Sequence, residues 1–191
     1  MSPRRFLLVG LSGALLVACA GPDPLPPKDA AVPAGVNLTG QWQLRDDSLD
    51  SNTQIQVVER KASGADQSLV PKSSKKSKRR KDEMQVHVFL ESGETLKVTQ
   101  TKHGLFVSFD RAVVEEYRFG EQRMANVGPV AAERVSGWEN GAYVIETRDK
   151  EGAMLTEKYR LEGEDLMIRT IRIVHEEAVV LDVRQYFDRS G

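Results

Sequence analysis

The chain has 191 residues, 40% of them apolar, and 27 Lys and Arg against 28 Asp and Glu for a net charge of −1. With one cysteine it can form no internal disulfide, and about 150 residues beyond the N-terminal leader suffice for one buried core without a second domain. The near-zero sum hides an uneven distribution of charge along the chain.

Residues 1–18 read as a removable targeting segment rather than as structure. Arg4 and Arg5 precede an apolar run from Phe6 to Ala18, short of the roughly 20 residues that a membrane-crossing helix needs. The paired arginines touch the twin-arginine export pattern, but Pro3 stands where that pattern favours a polar residue, so ordinary unfolded secretion is expected. The run closes on Leu16-Val17-Ala18-Cys19. A lone cysteine in an exported chain could be a free thiol, a dimer cross-link or a buried apolar residue. Here its surroundings resemble the lipobox of bacterial lipoproteins: a basic start, an apolar segment, small residues, then the cysteine. The resemblance covers about the first 20 residues. It implies cleavage before Cys19, a diacylglyceryl group on its thiol, and a further acyl chain, such as palmitate, on its new amine. At about 0.8 kcal/mol per buried methylene, one chain holds marginally, whereas three hold essentially for good. An Asp after the cysteine would imply retention at the inner membrane. Ala20 stands there, so the resemblance implies the outer membrane.

Residues 19–36 hold the lipidation site and five prolines, Pro22, Pro24, Pro26, Pro27 and Pro33, without apolar periodicity. Proline favours extended geometry, so this stretch is expected to be a semi-stiff tether reaching up to roughly 50 Å at about 3.1 Å per residue. The folded domain is expected over 37–191.

Within it, apolar residues alternate in segments of about ten with turns between them, the pattern of an antiparallel meander. Val86, Val88 and Leu90 share one expected face, Leu96 and Val98 another, then Leu105, Val107 and Phe109. Arg111 to Tyr117 fits either a strand or a single helical turn. Asn140-Gly141 predicts a type I′ hairpin, whose central residues both need positive φ, and Tyr143, Ile145 and Thr147 follow at period two. Between Ile168 and Ile171 the apolar parity slips, which predicts a β-bulge near Arg169 and Thr170. No long stretch carries a helical stripe with caps. The fold class expected is all-β: one antiparallel meander forming a barrel or a strongly curved sheet.

One stretch, about 62–82, breaks the alternation. Lys72, Lys75, Lys76, Lys78, Arg79, Arg80 and Lys81 fall within ten residues, separated by serines. Such a run cannot bury enough apolar surface to order itself and is expected to be a disordered loop. Setting aside this tract and the two leader arginines leaves the rest near −10, so an acidic body carries a basic loop. Export argues against nucleic acid as a partner. The seven basic residues are candidates for binding an anionic envelope surface, each contributing about 1 kcal/mol close to it.

Catalytic spacing is not evident. There is no Gly-rich phosphate loop and no nucleophile elbow in the mature chain, and His175-Glu176 lacks the second histidine of a zinc-protease helix, Val179 standing in its place. His87, His103 and His175 are scattered. No catalytic residue, metal ligand or cofactor is assigned. Gly40-x-Trp42 on the first expected strand resembles the Gly-x-Trp of lipocalins, whose tryptophan closes one end of an eight-stranded barrel; that resemblance implies a lipocalin-like barrel, with Arg184 as the residue packed on the tryptophan. The reading is a non-catalytic envelope lipoprotein with a binding or assembly-support role, with the membrane as partner and an anionic envelope surface or a protein as the further candidate. The alternative is a carrier of a small apolar ligand. An apolar cavity of several hundred Å³ inside the barrel would favour the carrier, and a filled interior the interaction protein.

Overall fold

Alternating side chains carry just over half of the described residues into ten antiparallel strands, seen in a computed structural model that describes residues 23–62 and 86–190. They are β1 (Gly40–Leu44), β2 (Thr95–Gln100), β3 (Gly104–Phe109), β4 (Val113–Arg118), β5 (Glu121–Val127), β6 (Val130–Glu139), β7 (Ala142–Arg148), β8 (Met154–Leu161), β9 (Leu166–His175) and β10 (Ala178–Arg189). Each pairs with its sequence neighbour, with two exceptions: β1 pairs with β10, and β4 and β5 form no ladder with each other. Since β4 and β5 are joined only by Phe119 and Gly120, the sheet must curl until its two edges stand side by side. The result is a nearly closed barrel with an unpaired seam. Side chains from β6 reach across the seam: the Ser136 hydroxyl donates to the Arg118 carbonyl at 2.8 Å, and Arg134 lies 3.5 Å from Glu115. The Asn140-Gly141 turn has φ of 52° and 77°, as its sequence requires.

Gly40-x-Trp42 has a specific packing reason. Trp42 is fully buried, its indole N–H donates to the Leu38 carbonyl at 3.1 Å, and the Arg189 guanidinium lies 4.2 Å from its ring centre. A side chain at Gly40 would occupy the space of that guanidinium. The arginine on the tryptophan is therefore Arg189, which faces Trp42 in the β1–β10 register, and not Arg184, which is paired beside Thr170 and exposed.

Three further expectations are revised, and one left open is resolved. The bulge near Arg169 is absent: β9 and β10 stay in register from Leu166 to Arg172. Met167, Arg169, Ile171 and Ile173 all point inward, so the parity never slipped; an inward arginine disguised it. The bulge in this pair falls instead between Val179 and Leu181. Val86 to Phe89 forms a 3-10 turn rather than a strand, burying Val86 and Phe89 at the spacing of one turn. A helix, α1 (Leu49–Ala62), stands where none was expected. Its inward face carries Asn52, Ile55 and Glu59, continuing from buried Ser48 in the 3-10 turn just before it, and Ile55 is the one fully buried apolar side chain among its described residues, so the helical stripe is largely polar and hides from an apolar count. Of the Arg111 to Tyr117 stretch, Val113 to Tyr117 is strand within β4, and Arg111 and Ala112 form the turn that leads into it.

The core divides along the barrel. Toward the end where β1 begins and β10 finishes, Trp42, Leu96, Val107, Tyr117, Trp138, Tyr143, Tyr159 and Phe187 belong to one buried cluster. The other end, where β7 finishes and β10 begins, is covered by α1 and the 86–90 turn. There Ile55, Val86, Phe89 and Leu90 pack with Leu155, Ile171, Ile173, Leu181 and Val183. We call this the helical end.

Candidate functional site

Cys19 and the seven basic residues Lys72, Lys75, Lys76, Lys78, Arg79, Arg80 and Lys81 lie outside the described residues. The places where the chain leaves and rejoins those residues are nevertheless informative. From Asp23 the chain runs along the outer face of β6 and β7. The Arg148 guanidinium donates to the Asp23 carbonyl at 2.7 Å, the Leu25 N–H donates to Glu133 at 3.0 Å, and Lys28 bridges Glu139 and Glu146 at 3.4 and 3.2 Å. Asp29 then pairs with Trp138 through two backbone hydrogen bonds of 3.1 and 2.8 Å, occupying the edge of β6 beyond the reach of β5. Gly137 makes this approach possible, since a Cβ there would collide with the Asp29 carbonyl and the Lys28 side chain. Under this strap Val135 and Val144, which face outward on their strands, are buried. Arg148 closes β7, so Asp23 lies at the helical end. After residues 63–85 the chain rejoins at Val86, whose N–H donates to Asp149 at 2.9 Å, one residue past Arg148. The Cys19 side of the strap and the root of the basic tract therefore share one end of the barrel.

The interior holds charge as well as aromatic bulk. Arg169, fully buried, donates through Nε (3.1 Å) and Nη2 to Glu157, and through Nη2 to the Glu91 carbonyl at 2.8 Å. Its guanidinium stacks 5.0 Å from the Phe109 ring centre and 5.5 Å from that of Tyr159. The Tyr159 hydroxyl donates to Glu157 at 3.2 Å, and Gln185 links Arg169 to Asn52 of α1. Arg134 answers Glu115 across the seam, donates to the Thr147 hydroxyl at 3.1 Å, and stacks on Phe89 and Tyr117. Two further carboxyls face this region. Burial, with Glu59, Glu115 and Glu157 nearby and only partly offset by Arg169, pushes Glu91 up to about 7. Burial also raises Glu59, although Ser92 donates to it at 2.7 Å. The arrangement is a self-answered ionic cluster: each interior arginine already meets a carboxylate of the chain. A search for apolar alternation passes over it, because it reads inward charges as outward ones. The apparent break in apolar parity at Arg169 was the available signal.

Outside, a depression of about 550 Å³ lies over β1, β2 and the β3–β4 turn, walled by Gln41, Gln43, Thr95, Lys97, Asp110 and Arg111. A smaller one of about 220 Å³ lies at the seam between Glu116, Arg118, Glu121 and Arg123. Both are polar. His103 sits exposed at the β2–β3 turn, while His87 is buried and held below its usual pKa by desolvation. Among the described residues no three His, Cys, Asp or Glu side chains gather as a metal site would require.

No protein-family model matches the chain, and no curated protein sequence does. Solved structures share its general outline. A secretory abundant heat soluble protein from Ramazzottius varieornatus aligns with a TM-score of 0.47 at 10% identity, covering 80% of this chain and 95% of its own. The fatty-acid-binding protein of Manduca sexta aligns at 0.44 and 14% identity, covering 80% and 99%. A Schistosoma mansoni fatty-acid-binding protein in complex with arachidonic acid aligns at 0.44 and 12%, covering 80% and 96%.

Proposed function

We propose that this chain is an outer-membrane lipoprotein, held by acyl chains on Cys19, whose barrel is a non-catalytic binding or assembly-support domain that works through its outside. The observation that carries the reading is the filled interior. Side chains from opposite walls belong to one aromatic cluster, and α1 with the 86–90 turn occupies the helical end. A carrier of an apolar acid would need open volume and a free interior cation. Here Arg169 and Arg134 are matched by Glu157 and Glu115, and a ligand carboxylate would have to displace a buried partner to bind. The anchor itself rests on the lipobox resemblance of Leu16 to Cys19, and the seven-residue basic tract is assigned to anionic headgroups of the envelope.

Titration of the soluble domain with a fluorescent fatty acid tests the choice between outside and inside. No saturable one-to-one binding is expected. Saturable binding at micromolar concentration or tighter, lost on Arg134→Met, would assign the carrier role instead. Incorporation of labelled palmitate into the mature chain, abolished by Cys19→Ser, tests the anchor; unchanged labelling in that variant would refute it.

A further inference from the structure

The tether expected between lipid and domain covers residues 19–36, yet contacts with the barrel begin at Asp23. Only Ala20, Gly21 and Pro22 separate Cys19 from that point. Four residue steps span at most about 14 Å when fully extended, against the roughly 50 Å available to a free tether of the whole segment. Asp23 is held at the helical end by Arg148, and the strap beyond it is fixed by Leu25, Lys28 and the Asp29–Trp138 pairing. The opposite end lies a barrel length away, about 25 Å for strands of eight to ten residues with the usual tilt.

From this we propose that the barrel rides directly on the bilayer with its helical end against the headgroups, so that this end, and not a freely swinging domain, is the protein's membrane-facing surface. The inference rests on the anchoring reading above and deepens it. Exposed apolar side chains mark the rim of the same end. Val114 is the second residue of β4, Val127 closes β5, and Val179 and Val180 sit at the bulge near the start of β10. Val180 is the residue the bulge leaves without a partner on β9, and it is turned out to solvent. A rim of small apolar side chains suits the interfacial layer of a phospholipid bilayer. Glu176 and Glu177 at the β9–β10 turn and Glu151 beside it oppose deep entry or tight binding by the rim alone. The anchor supplies the hold and the strap supplies the orientation. The opposite end, with the turns around Lys102, Asn140 and Glu164, is left facing the periplasm or the medium.

The test uses the lipidated mature chain in phosphatidylcholine vesicles bearing a nitroxide on a fraction of the headgroups. Lys150→Cys at the helical end and Lys102→Cys at the opposite end, both exposed, each receive a fluorophore once Cys19 is acylated. Quenching severalfold stronger at position 150 than at 102 is expected, and a 20-residue Gly-Ser insertion between Pro22 and Asp23 should bring the two close to equal. A second pair, Glu177→Cys and His103→Cys, guards against a local effect of one label. Equal quenching in the uninserted chain, or stronger quenching at 102, overturns the orientation while leaving the anchor intact. Persisting asymmetry after the insertion overturns the short strap as the source of the orientation, because the rim would then be responsible. Absence of palmitate on the chain is a separate outcome and refutes the anchoring reading itself.

Discussion

Arg169 provides the sharpest test of the interior. Arg169→Met keeps most of the side-chain volume between Phe109 and Tyr159 but removes the guanidinium. Glu157 would keep the Tyr159 hydroxyl at 3.2 Å and lose the charge that justifies its burial, among Glu59, Glu91 and Glu115. The Glu91 carbonyl and Gln185 would each lose a partner as well. Removing one member of a buried ion pair costs about 3–5 kcal/mol, mostly through the charge left behind. At about 2–4 °C per kcal/mol for a domain of this size, the melting temperature should fall by about 6–20 °C. Replacing both members, Arg169→Met with Glu157→Leu, should recover much of the loss, since buried pairs stabilise little relative to apolar groups of similar volume. Urea denaturation of the wild type, the two single variants and the double variant closes the cycle. A loss below about 1 kcal/mol for Arg169→Met, or a double variant as unstable as the two singles added together, would refute this account of the interior.

The Glu91 carboxyl, with its pKa raised to about 7, favours the folded state while protonated, so its contribution is present below about pH 4.5 and lost as pH rises through 7. Glu91→Gln should therefore gain about 1–2 kcal/mol on the wild type between pH 5 and pH 8, after allowing for solvent at a half-buried group; His87, common to both proteins, cancels in the comparison, and a pH-independent difference would contradict the assignment. Trp42→Ala should cost about 3–5 kcal/mol in thermal or chemical unfolding, as large aromatic truncations in cores do, and an unchanged melting temperature would move Trp42 out of the core. Gly137→Val should lift the strap and open the Asp23–Ala31 segment to limited proteolysis while the strands remain intact by circular dichroism; unchanged cleavage would mean that the strap does not depend on this close approach. Deleting 72–81 should change stability by only about 1 kcal/mol, because loop-closure entropy varies slowly with length. The same deletion should abolish salt-sensitive binding of the soluble domain to anionic vesicles, and binding that survives it would release the tract from that role.

Much of the barrel was legible in the chain itself. The strands with one apolar face, such as Leu96-Val98 and Leu105-Val107-Phe109, announce themselves because a pleated strand buries every second side chain and solvates the others. The Asn140-Gly141 turn follows from local φ requirements, and Trp42 at the core follows from the same alternation. What alternation could not convey is any place where the buried residue is polar or the buried face is the outer one. Arg169 and Glu157 turn inward because each finds the other there, 12 residues away in sequence, and neither has an apolar character to reveal it. Helix α1 offers Asn52 and Glu59 to Gln185 and Ser92, partners that only the closed barrel places beside it. The strap from Asp23 to Asp29 has no periodicity of its own. It is held by Glu133, Glu146, Arg148 and the backbone of Trp138, more than 100 residues away along the chain. Local sequence determines which segments can be strands, because side-chain alternation and turn geometry are properties of neighbours. Which charges are buried, and where the strap from Asp23 to Asp29 is tied to the barrel, depend on pairings that exist only once the sheet has curled.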